Sequence, residues 1–268
     1  MIEPSGDHPT DPARRFGGVQ RLYGADSMAR FQAAHVCVVG IGGVGSWAAE
    51  ALARSAIGQI TLIDLDMVAE SNVNRQIQAL GDAFGKAKTD AMAERILAIN
   101  PACRVSRIED FVSPDNLDPM LNKGFDYLID AIDQVRTKAA MIAWCKAREL
   151  PLITAGGAGG QIDPTRIGIT DLACTVQDPL LSRVRSLLRK EYGFTREPKK
   201  KFGVPAVFSS EALRYPENTA VCQEMPALLG LNCAGFGSSV CVTATFGLFA
   251  ASEVLKHLAM GRNERNVN

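Results

Sequence analysis

The chain has 268 residues, 47% of them hydrophobic, so it can bury a full core as one large domain or two small ones. Lysine plus arginine and aspartate plus glutamate each number 29, and this balance argues against a protein that coats nucleic acid over its whole surface but allows a local basic patch. The seven cysteines are odd in number and scattered, several of them inside apolar runs, so they indicate no disulfide framework.

The amino-terminal stretch MIEPSGDHPTDPARR has acids and prolines where a secretory signal would have a basic start and an apolar run. We therefore expect residues 1–14 to form a flexible tail on a cytoplasmic protein. The following residues, 15–268, are expected to form a single domain without internal repeats or low-complexity segments.

Strands and helices alternate along the first part of this domain. The apolar run HVCVVG and the helical spacing of SWAAEALARSAIG predict a strand, a glycine turn and a helix, and QITLIDLD predicts a second strand. Further along, the pattern predicts helix KAKTDAMAERILAINP, strand CRVSRIEDF, a helix near 114–122, strand FDYLIDAID, a helix from about Val135 to Glu149 and strand PLITAGG. This alternation predicts an α/β protein with a Rossmann-like wound sheet that is parallel in its first half.

The pattern loosens after residue 160, which predicts a mixed carboxyl-terminal extension. We expect one or two short strands over 161–172, a helix over 175–192 and a long irregular stretch over 193–232. The apolar segment 233–260 could span a membrane, but its small residues and the charges of Glu253 and Lys256 favour a buried core or dimer helix.

A basic segment, RVRSLLRKEYGFTREPKKKF at residues 183–202, follows the start of the predicted helix. One interpretation is a solvated helix face with a mobile loop, because runs of charge usually face solvent. The other is contact with RNA phosphates, since clustered lysine and arginine bind nucleic acid through its backbone.

The glycines of G-x-G-G-x-G lie between the first strand and its helix, where backbone amides and the helix amino end can hold phosphates. They are Gly40, Gly42, Gly43 and Gly45. At the end of the second strand, Asp64 and Asp66 place carboxylates where they can accept hydrogen bonds from ribose hydroxyls. The sequence thus predicts a nucleotide site but does not separate NAD from ATP.

Cationic side chains follow this motif and favour ATP. Splitting ATP at its α-phosphorus develops charge that arginine and lysine neutralise, whereas hydride transfer has no such need. We predict that Arg75 and Lys86 are catalytic phosphate ligands, and that Asn72 and Gln76 bind phosphate or orient Arg75. The alternative for Lys86 is that it merely opens a solvated helix.

Two acids close the fourth predicted strand, at the edge of the sheet where ligands bind in wound folds. Asp130 is predicted to be catalytic and to hold Mg²⁺ on the phosphates. Asp133 either binds the nucleotide as well or caps the following helix.

The glycine motif, Asp64, SNVNRQ, Lys86 and DAID occur in an order that resembles the ubiquitin-activating-type (ThiF/MoeB/HesA-like) adenylating superfamily. The resemblance is closer to the branch that acts on threonylcarbamoyladenosine in tRNA, through RFGGVQRLYG, TAGGAGGQIDPT, QDPLL, FSSEA and CAGFGSSVCVTATFG. It implies an ATP- and Mg²⁺-dependent homodimer that adenylates and then cyclises the threonylcarbamoyl group beside the tRNA anticodon. It also implies that residues 30–160 bind the nucleotide and residues 161–268 bind the substrate and form the dimer.

The resemblance carries over to further partners and residues only in part. Relatives place an amino-terminal arginine against the ATP of the partner subunit. The corresponding segment RFGGVQR offers Arg15 or Arg21, and we assign this role to Arg21. Many sulfur-carrier enzymes hold zinc through two C-x-x-C pairs, which this sequence lacks, so zinc is not expected. Sulfur-transfer proteins are further partners that the resemblance suggests.

Three other functions stay open at this point. The protein could adenylate the carboxyl end of a ubiquitin-like sulfur carrier, although the missing zinc pairs count against this. It could be a nicotinamide oxidoreductase, which Arg75 and Lys86 disfavour. It could also be an adaptor for sulfur-transfer proteins that binds ATP without turnover.

Overall fold

The computed structural model describes residues 11–198, 200–215 and 236–261. Its strands are β1 (His35–Val39), β2 (Gln59–Ile63), β3 (Arg104–Ile108), β4 (Tyr127–Asp130), β5 (Leu152–Ala155), β6 (Ile167–Asp171) and β7 (Pro205–Ser209). Its helices are α1 (Pro12–Tyr23), α2 (Ala25–Ala33), α3 (Gly45–Arg54), α4 (Lys88–Ile99), α5 (Leu117–Leu121), α6 (Val135–Ala147), α7 (Pro179–Glu191) and α8 (Val240–Ala259).

The strands form one sheet in the order β3-β2-β1-β4-β5-β7-β6. All neighbours are parallel except β6 and β7, which pair antiparallel at the edge of the sheet. The chain moves outward from β1 to β3 and then returns to place β4 on the other side of β1. This reversal opens a crevice beyond the carboxyl ends of β1 and β4, where wound sheets bind their ligands. The predicted Rossmann-like sheet with a mixed extension is confirmed.

The sheet has a hydrophobic cluster on each face, and β1 contributes to both. Val36 and Val38 belong to the cluster that includes α3 and α8, whereas Cys37 and Val39 belong to the cluster that includes α6 and α7. This split follows from the strand's geometry, since successive side chains point to opposite faces. The near-continuous apolar sequence of β1 is therefore that of a strand covered on both sides.

Helix α8 is a core helix rather than a membrane span. The side chains on its buried face, between Val242 and Leu258, belong to the hydrophobic cluster that also contains α3, and the two helices pack closely. A Cβ added to Gly247 would lie 2.4 Å from the Val44 carbonyl oxygen. No helix within the described ranges is long and apolar enough to cross a membrane.

Two parts of the chain form a helix or a strand where the sequence predicted none. Helix α1 begins at Pro12, inside the predicted tail, because Asp11 accepts a hydrogen bond from the Ala13 amide at 2.9 Å and the proline fixes the first turn. Strand β7 lies within the stretch 193–232 that was predicted to be irregular, so this prediction is wrong for residues 205–209. Residues 1–10 and 216–232 lie outside the described residues.

Candidate active site

A cavity of about 380 Å³ opens at the carboxyl ends of β1, β2, β4 and β5. Most of the residues predicted for the nucleotide site line this cavity. They are Gly40, Gly42, Gly43, Asp64, Asp66, Asn72, Arg75, Gln76 and Asp133. The structure thus brings together residues from four separate segments of the chain around one crevice at the switch point of the sheet.

The glycine turn leaves no room for side chains at two positions. Gly40 has a φ of 88°, and a Cβ at this residue would lie 2.9 Å from the Ala131 carbonyl oxygen. A Cβ on Gly45 would lie 1.8 Å from the Gly40 carbonyl oxygen, although Gly45 does not itself line the cavity. Gly43 packs against the Arg75 side chain, whose Cγ would be 3.2 Å from an added Cβ. The turn therefore exposes backbone at the amino end of α3, as phosphate binding requires.

Asp64 fastens the glycine turn to the loop after β2. Its Oδ2 accepts a hydrogen bond from the Ile41 amide at 2.6 Å, and its Oδ1 accepts one from the Asp66 amide at 2.9 Å. The carboxylate remains half-exposed at the cavity wall. This position next to the first residues of the turn suits a partner for ribose hydroxyls.

Arg75 is held in a defined position on the cavity wall. Its Nη1 donates to the Ser71 carbonyl and to Asn74 Oδ1, both at 2.8 Å. Its own carbonyl oxygen accepts a hydrogen bond from Trp47 Nε1 at 2.9 Å. The guanidinium is therefore oriented by its own segment, while α3 holds the backbone beneath it.

Two buried amides stiffen the same segment. Asn72 Oδ1 accepts from the Ala69 amide at 3.1 Å, and Gln76 Oε1 accepts from Gln78 Nε2 at 3.2 Å. Gln78 Nε2 also donates to the Ile41 carbonyl at 2.9 Å, which ties this segment to the glycine turn. Asn72 and Gln76 line the cavity while bracing the loop that carries Arg75.

The lysine that lines the cavity is not the one that was predicted. Lys86 lies outside the cavity, where its ammonium pairs with Glu94 at 2.9 Å, and this hydrogen bond raises the pKa of Lys86. Lys88 lines the cavity instead, with 8% of its side chain exposed and its Nζ 2.6 Å from Asp66 Oδ2. The Lys88 amide also donates to the Asp66 carbonyl at 2.9 Å. The cation at this wall of the site is therefore two residues further along the chain than expected.

The two acids at the end of β4 also differ from expectation. Asp130 does not line the cavity, because it is fully buried, with its Oδ2 2.8 Å from Lys138 Nζ. The Thr154 hydroxyl donates to Asp130 at 2.7 Å and accepts from Lys138 at 3.0 Å, which closes a triangle of polar groups. Burial raises the pKa of Asp130, and the nearby ammonium opposes this effect. This carboxylate is a structural partner of Lys138 and does not reach a metal ion in the cavity.

Asp133 takes the position that was predicted for Asp130. Helix α6 begins at Val135 with Gln134 at its cap position and no side-chain capping bond, so Asp133 does not cap the helix. It lines the cavity just past the end of β4. Of the two roles predicted for Asp133, nucleotide contact and helix capping, the structure excludes capping.

The loop after β5 forms the opposite wall of the cavity. Its residues carry part of the resemblance but were not predicted to line the nucleotide site. Residues 156–159 line the cavity, and the buried Asp178 supports them from below. Its Oδ2 accepts from the Gly157 amide at 3.0 Å, while its Oδ1 accepts from the Leu181 amide at 2.9 Å and caps α7. Burial raises the pKa of Asp178. A Cβ on Gly156 would lie 1.9 Å from this carboxylate, which explains the glycine.

Arg21 does not contact the cavity of its own chain. It is exposed on α1, whereas Arg15, the other arginine of this segment, donates to the Ile99 carbonyl at 2.7 Å at the end of α4. Among the described residues there is no cluster of three or more histidine, cysteine or acidic side chains that could hold a metal ion alone.

Comparison with known proteins identifies the family. A tRNA threonylcarbamoyladenosine dehydratase of Haemophilus influenzae is 54% identical, with coverage of 91% of this chain and 93% of its own. The crystal structure of the Escherichia coli tRNA N6-threonylcarbamoyladenosine dehydratase in complex with ATP matches with a TM-score of 0.83 and 54% identity, over 92% of this chain and 94% of that chain. Its complex with AMP matches with a TM-score of 0.84 and 52% identity, over 94% and 98% of the two chains. Residues 17–268 match the ThiF family, and the chain belongs to it.

Proposed function

We propose that this protein is an ATP-dependent dehydratase of threonylcarbamoyladenosine in tRNA, which activates the threonyl carboxylate by adenylation. The observation that carries the proposal is the cavity at the switch point of the sheet, which a glycine turn, Arg75 and Lys88 line together. The identity with dehydratases over more than 90% of the chain supports this substrate over a sulfur-carrier protein.

Different residues of the cavity contact different parts of the nucleotide. Asp64 accepts hydrogen bonds from the ribose, and the amides of the glycine turn bind the α-phosphate at the amino end of α3. Arg75 and Lys88 neutralise the charge that develops as the bond to pyrophosphate breaks. Lys88 replaces Lys86 in this role because it is the lysine that lines the cavity.

Mg²⁺ fits the site through the phosphates and Asp133. This ion commonly takes one or two carboxylates together with phosphate oxygens and keeps several waters, so a single protein carboxylate suffices. Asp133 supplies that oxygen at the cavity wall, whereas Asp130 is engaged by Lys138 at 2.8 Å. When bound, the ion would neutralise phosphate charge, while the protein residues hold the nucleotide in line with the attacking carboxylate.

The chemistry needs two successive displacements, the first at the α-phosphorus of ATP and the second at the activated acyl carbon. A threonyl carboxylate oxygen attacks the α-phosphorus and pyrophosphate leaves, which forms an acyl adenylate. The carbamoyl group of the same side chain then attacks the acyl carbon, loses a proton and expels AMP, which carries away the carboxylate oxygen. The balance is loss of one water from the nucleoside. An intramolecular attack can have an effective molarity of about 10⁵ M or more, so the cyclisation needs no enzyme nucleophile.

The proposal extends to the assembly. We infer a cytoplasmic homodimer in which Arg21, exposed on α1, completes the ATP site of the partner subunit. Residues 161–268 then supply the tRNA and dimer contacts, and sulfur-transfer proteins are further partners. The exposed position of Arg21 away from its own cavity supports a role in a second subunit.

The decisive experiment uses purified protein, ATP, Mg²⁺ and tRNA that carries threonylcarbamoyladenosine. Mass spectrometry of the digested tRNA should show a nucleoside lighter by one water, with AMP and pyrophosphate formed in equal amounts. Unmodified tRNA is the control and should give no AMP. If the modified tRNA also yields no AMP, the proposal is wrong, and exchange of pyrophosphate in the presence of carrier proteins would then test the alternative.

A matched pair of lysine variants tests the assignment of roles. Lys88→Ala should lower AMP formation by about 10²-fold, because it removes a cation from the transferring phosphate. Lys86→Ala should keep turnover within about 2-fold, since its ammonium pairs with Glu94 outside the cavity. Equal losses in the two variants would contradict the assignment.

A further inference from the structure

The first turn of α8 contains a buried hydroxyl, at the wall of the cavity, that has no partner among the described residues. Thr243 lines the cavity and is only 3% exposed, yet its Oγ1 makes no hydrogen bond within the described part of the chain. A Cβ built on Gly43 would lie 3.4 Å from the Thr243 Cβ, so this side chain lies directly against the glycine turn. A buried polar group without a partner is destabilising, so a ligand that enters the cavity and bonds this hydroxyl would gain affinity from it.

Another threonine on the same helix shows that this arrangement is specific. The Thr245 hydroxyl donates to the Cys241 carbonyl four residues earlier at 2.6 Å, which is the usual partner for threonine within a helix. Thr243 makes no such bond to Ser239. The sequence pattern alone gives both threonines the same helical setting, and only the fold places Thr243 at the wall of the cavity.

The amino end of α8 is fastened to the segment that carries Arg75. Asn74 Nδ2 donates to the Ser238 carbonyl at 3.1 Å and to its Oγ at 3.3 Å, while Arg75 Nη1 donates to Asn74 Oδ1 at 2.8 Å. Ser238 also lines the cavity. The positive end of a 20-residue helix, an unpaired hydroxyl and a guanidinium therefore converge near Gly43, which is an arrangement that attracts an anion.

We propose that Thr243 Oγ1 and the amino end of α8 bind the β- and γ-phosphates of ATP, the part that leaves as pyrophosphate. The inference rests on the proposed function for the identity of the nucleotide. Asp64 contacts the turn at Ile41 and so fixes the ribose end of the cavity. Thr243 contacts the turn two residues later, beside Arg75, at the end where the outer phosphates lie.

Isothermal titration with ATP and with AMP, without tRNA, tests this subsite. Thr243→Val keeps the shape of the side chain and removes its hydroxyl, and it should weaken ATP about 10-fold to 100-fold while AMP changes by less than about 2-fold. Thr243→Ser keeps the hydroxyl and should retain ATP affinity. Thr245→Val is the matched control on the same helix and should bind both nucleotides as the parent protein does.

Two results would overturn the inference: unchanged ATP affinity in Thr243→Val, or an equal loss for ATP and AMP, which would move the contact to the α-phosphate or the nucleoside. If the valine variant does not fold, the difference between Thr243→Ala and Thr243→Ser measures the same hydroxyl. Because the titrations contain no tRNA, they are independent of turnover. A protein that binds ATP through Thr243 but never forms AMP would refute the proposed function alone.

Discussion

Replacement of Lys138 by methionine tests the buried triangle beneath the cavity. Lys138 and Asp130 are both fully buried, and their charged groups lie 2.8 Å apart. Methionine fills a similar volume but leaves the carboxylate without its cation, with the Thr154 hydroxyl as its remaining side-chain donor. Removal of one partner from a buried ion pair typically costs about 3–5 kcal/mol, so we expect Lys138→Met to lose that much of its unfolding free energy. The double variant Asp130→Asn/Lys138→Met should lose clearly less than the sum of the two single changes.

The same variant should also depend on pH. Burial raises the pKa of Asp130 in the folded protein above its value in the unfolded chain, and removal of the ammonium strengthens this effect. A carboxyl group of this kind contributes stability that is fully present below its unfolded pKa and is lost as pH rises through the folded pKa. Lys138→Met should therefore be less destabilised, relative to the parent protein, at pH 5 than at pH 8.

Urea unfolding at fixed protein concentration, at both pH values, measures these differences. Lys146→Met is the control, because Lys146 is exposed on the same helix, and its change should stay within about 0.5 kcal/mol. Additive losses in the double variant, or a Lys138→Met penalty that is the same at both pH values, would refute the argument from the buried charge.

Three further predictions concern other parts of the molecule. Replacement of both Arg183 and Lys190 on α7 by glutamine should reduce the slope of log affinity for tRNA against log salt by up to about 1.5, and an unchanged slope would leave α7 a solvated face. Gly247→Ala should cost about 1–3 kcal/mol in urea unfolding, because its Cβ would lie 2.4 Å from the Val44 carbonyl oxygen just before α3, and an unchanged midpoint would mean that α8 shifts freely. Alkylation of the native protein at pH 8, followed by peptide mass spectrometry, should modify the exposed Cys174 and spare Cys145, whose pKa burial raises to about 12. Rapid labelling of Cys145 would show that the cluster around α6 opens readily.

The sheet and the glycine turn could be predicted because local pattern and global fold agree there. Gly40 is required by its positive φ and by the nearby Ala131 carbonyl, and Gly45 by the Gly40 carbonyl, and the spacing of the two glycines carries this information. Strand β7 was missed because Pro205–Ser209 is a short pairing with β5 and β6, distant in sequence, and local propensity does not record such a pairing.

The prediction of Lys86 rested on its nearness to SNVNRQ, and nearness alone does not distinguish it from Lys88, which lines the cavity. Lys88 precedes Met92 and Ile96 by four and eight residues, and all three lie on the buried face of α4. Helical spacing therefore distinguished it from Lys86, which lies before the helix.

The two-residue period of a strand separates Asp130, the last residue of β4, from Asp133. Asp130 follows Leu128 by two residues and so points to the same face of the sheet, toward α6 and Lys138, whereas Asp133 comes after the strand has ended. The burial of Lys138 could not be predicted from its type, since lysine is rarely found inside without a partner, and the partner is known only once β4 and α6 are packed.

The hydrogen bond from Trp47 to the Arg75 carbonyl gives the protein an optical signal of its own. Trp47 lies on α3 and holds the backbone of the segment that bears the Arg75 guanidinium, while Trp144, the second of the two tryptophans, lies on α6 beneath the Arg148 side chain. Movement of the arginine segment when a nucleotide enters would alter the surroundings of one indole and leave the other unchanged. Steady-state emission should therefore follow nucleotide entry without any dye, and Trp144→Phe would isolate the responding ring.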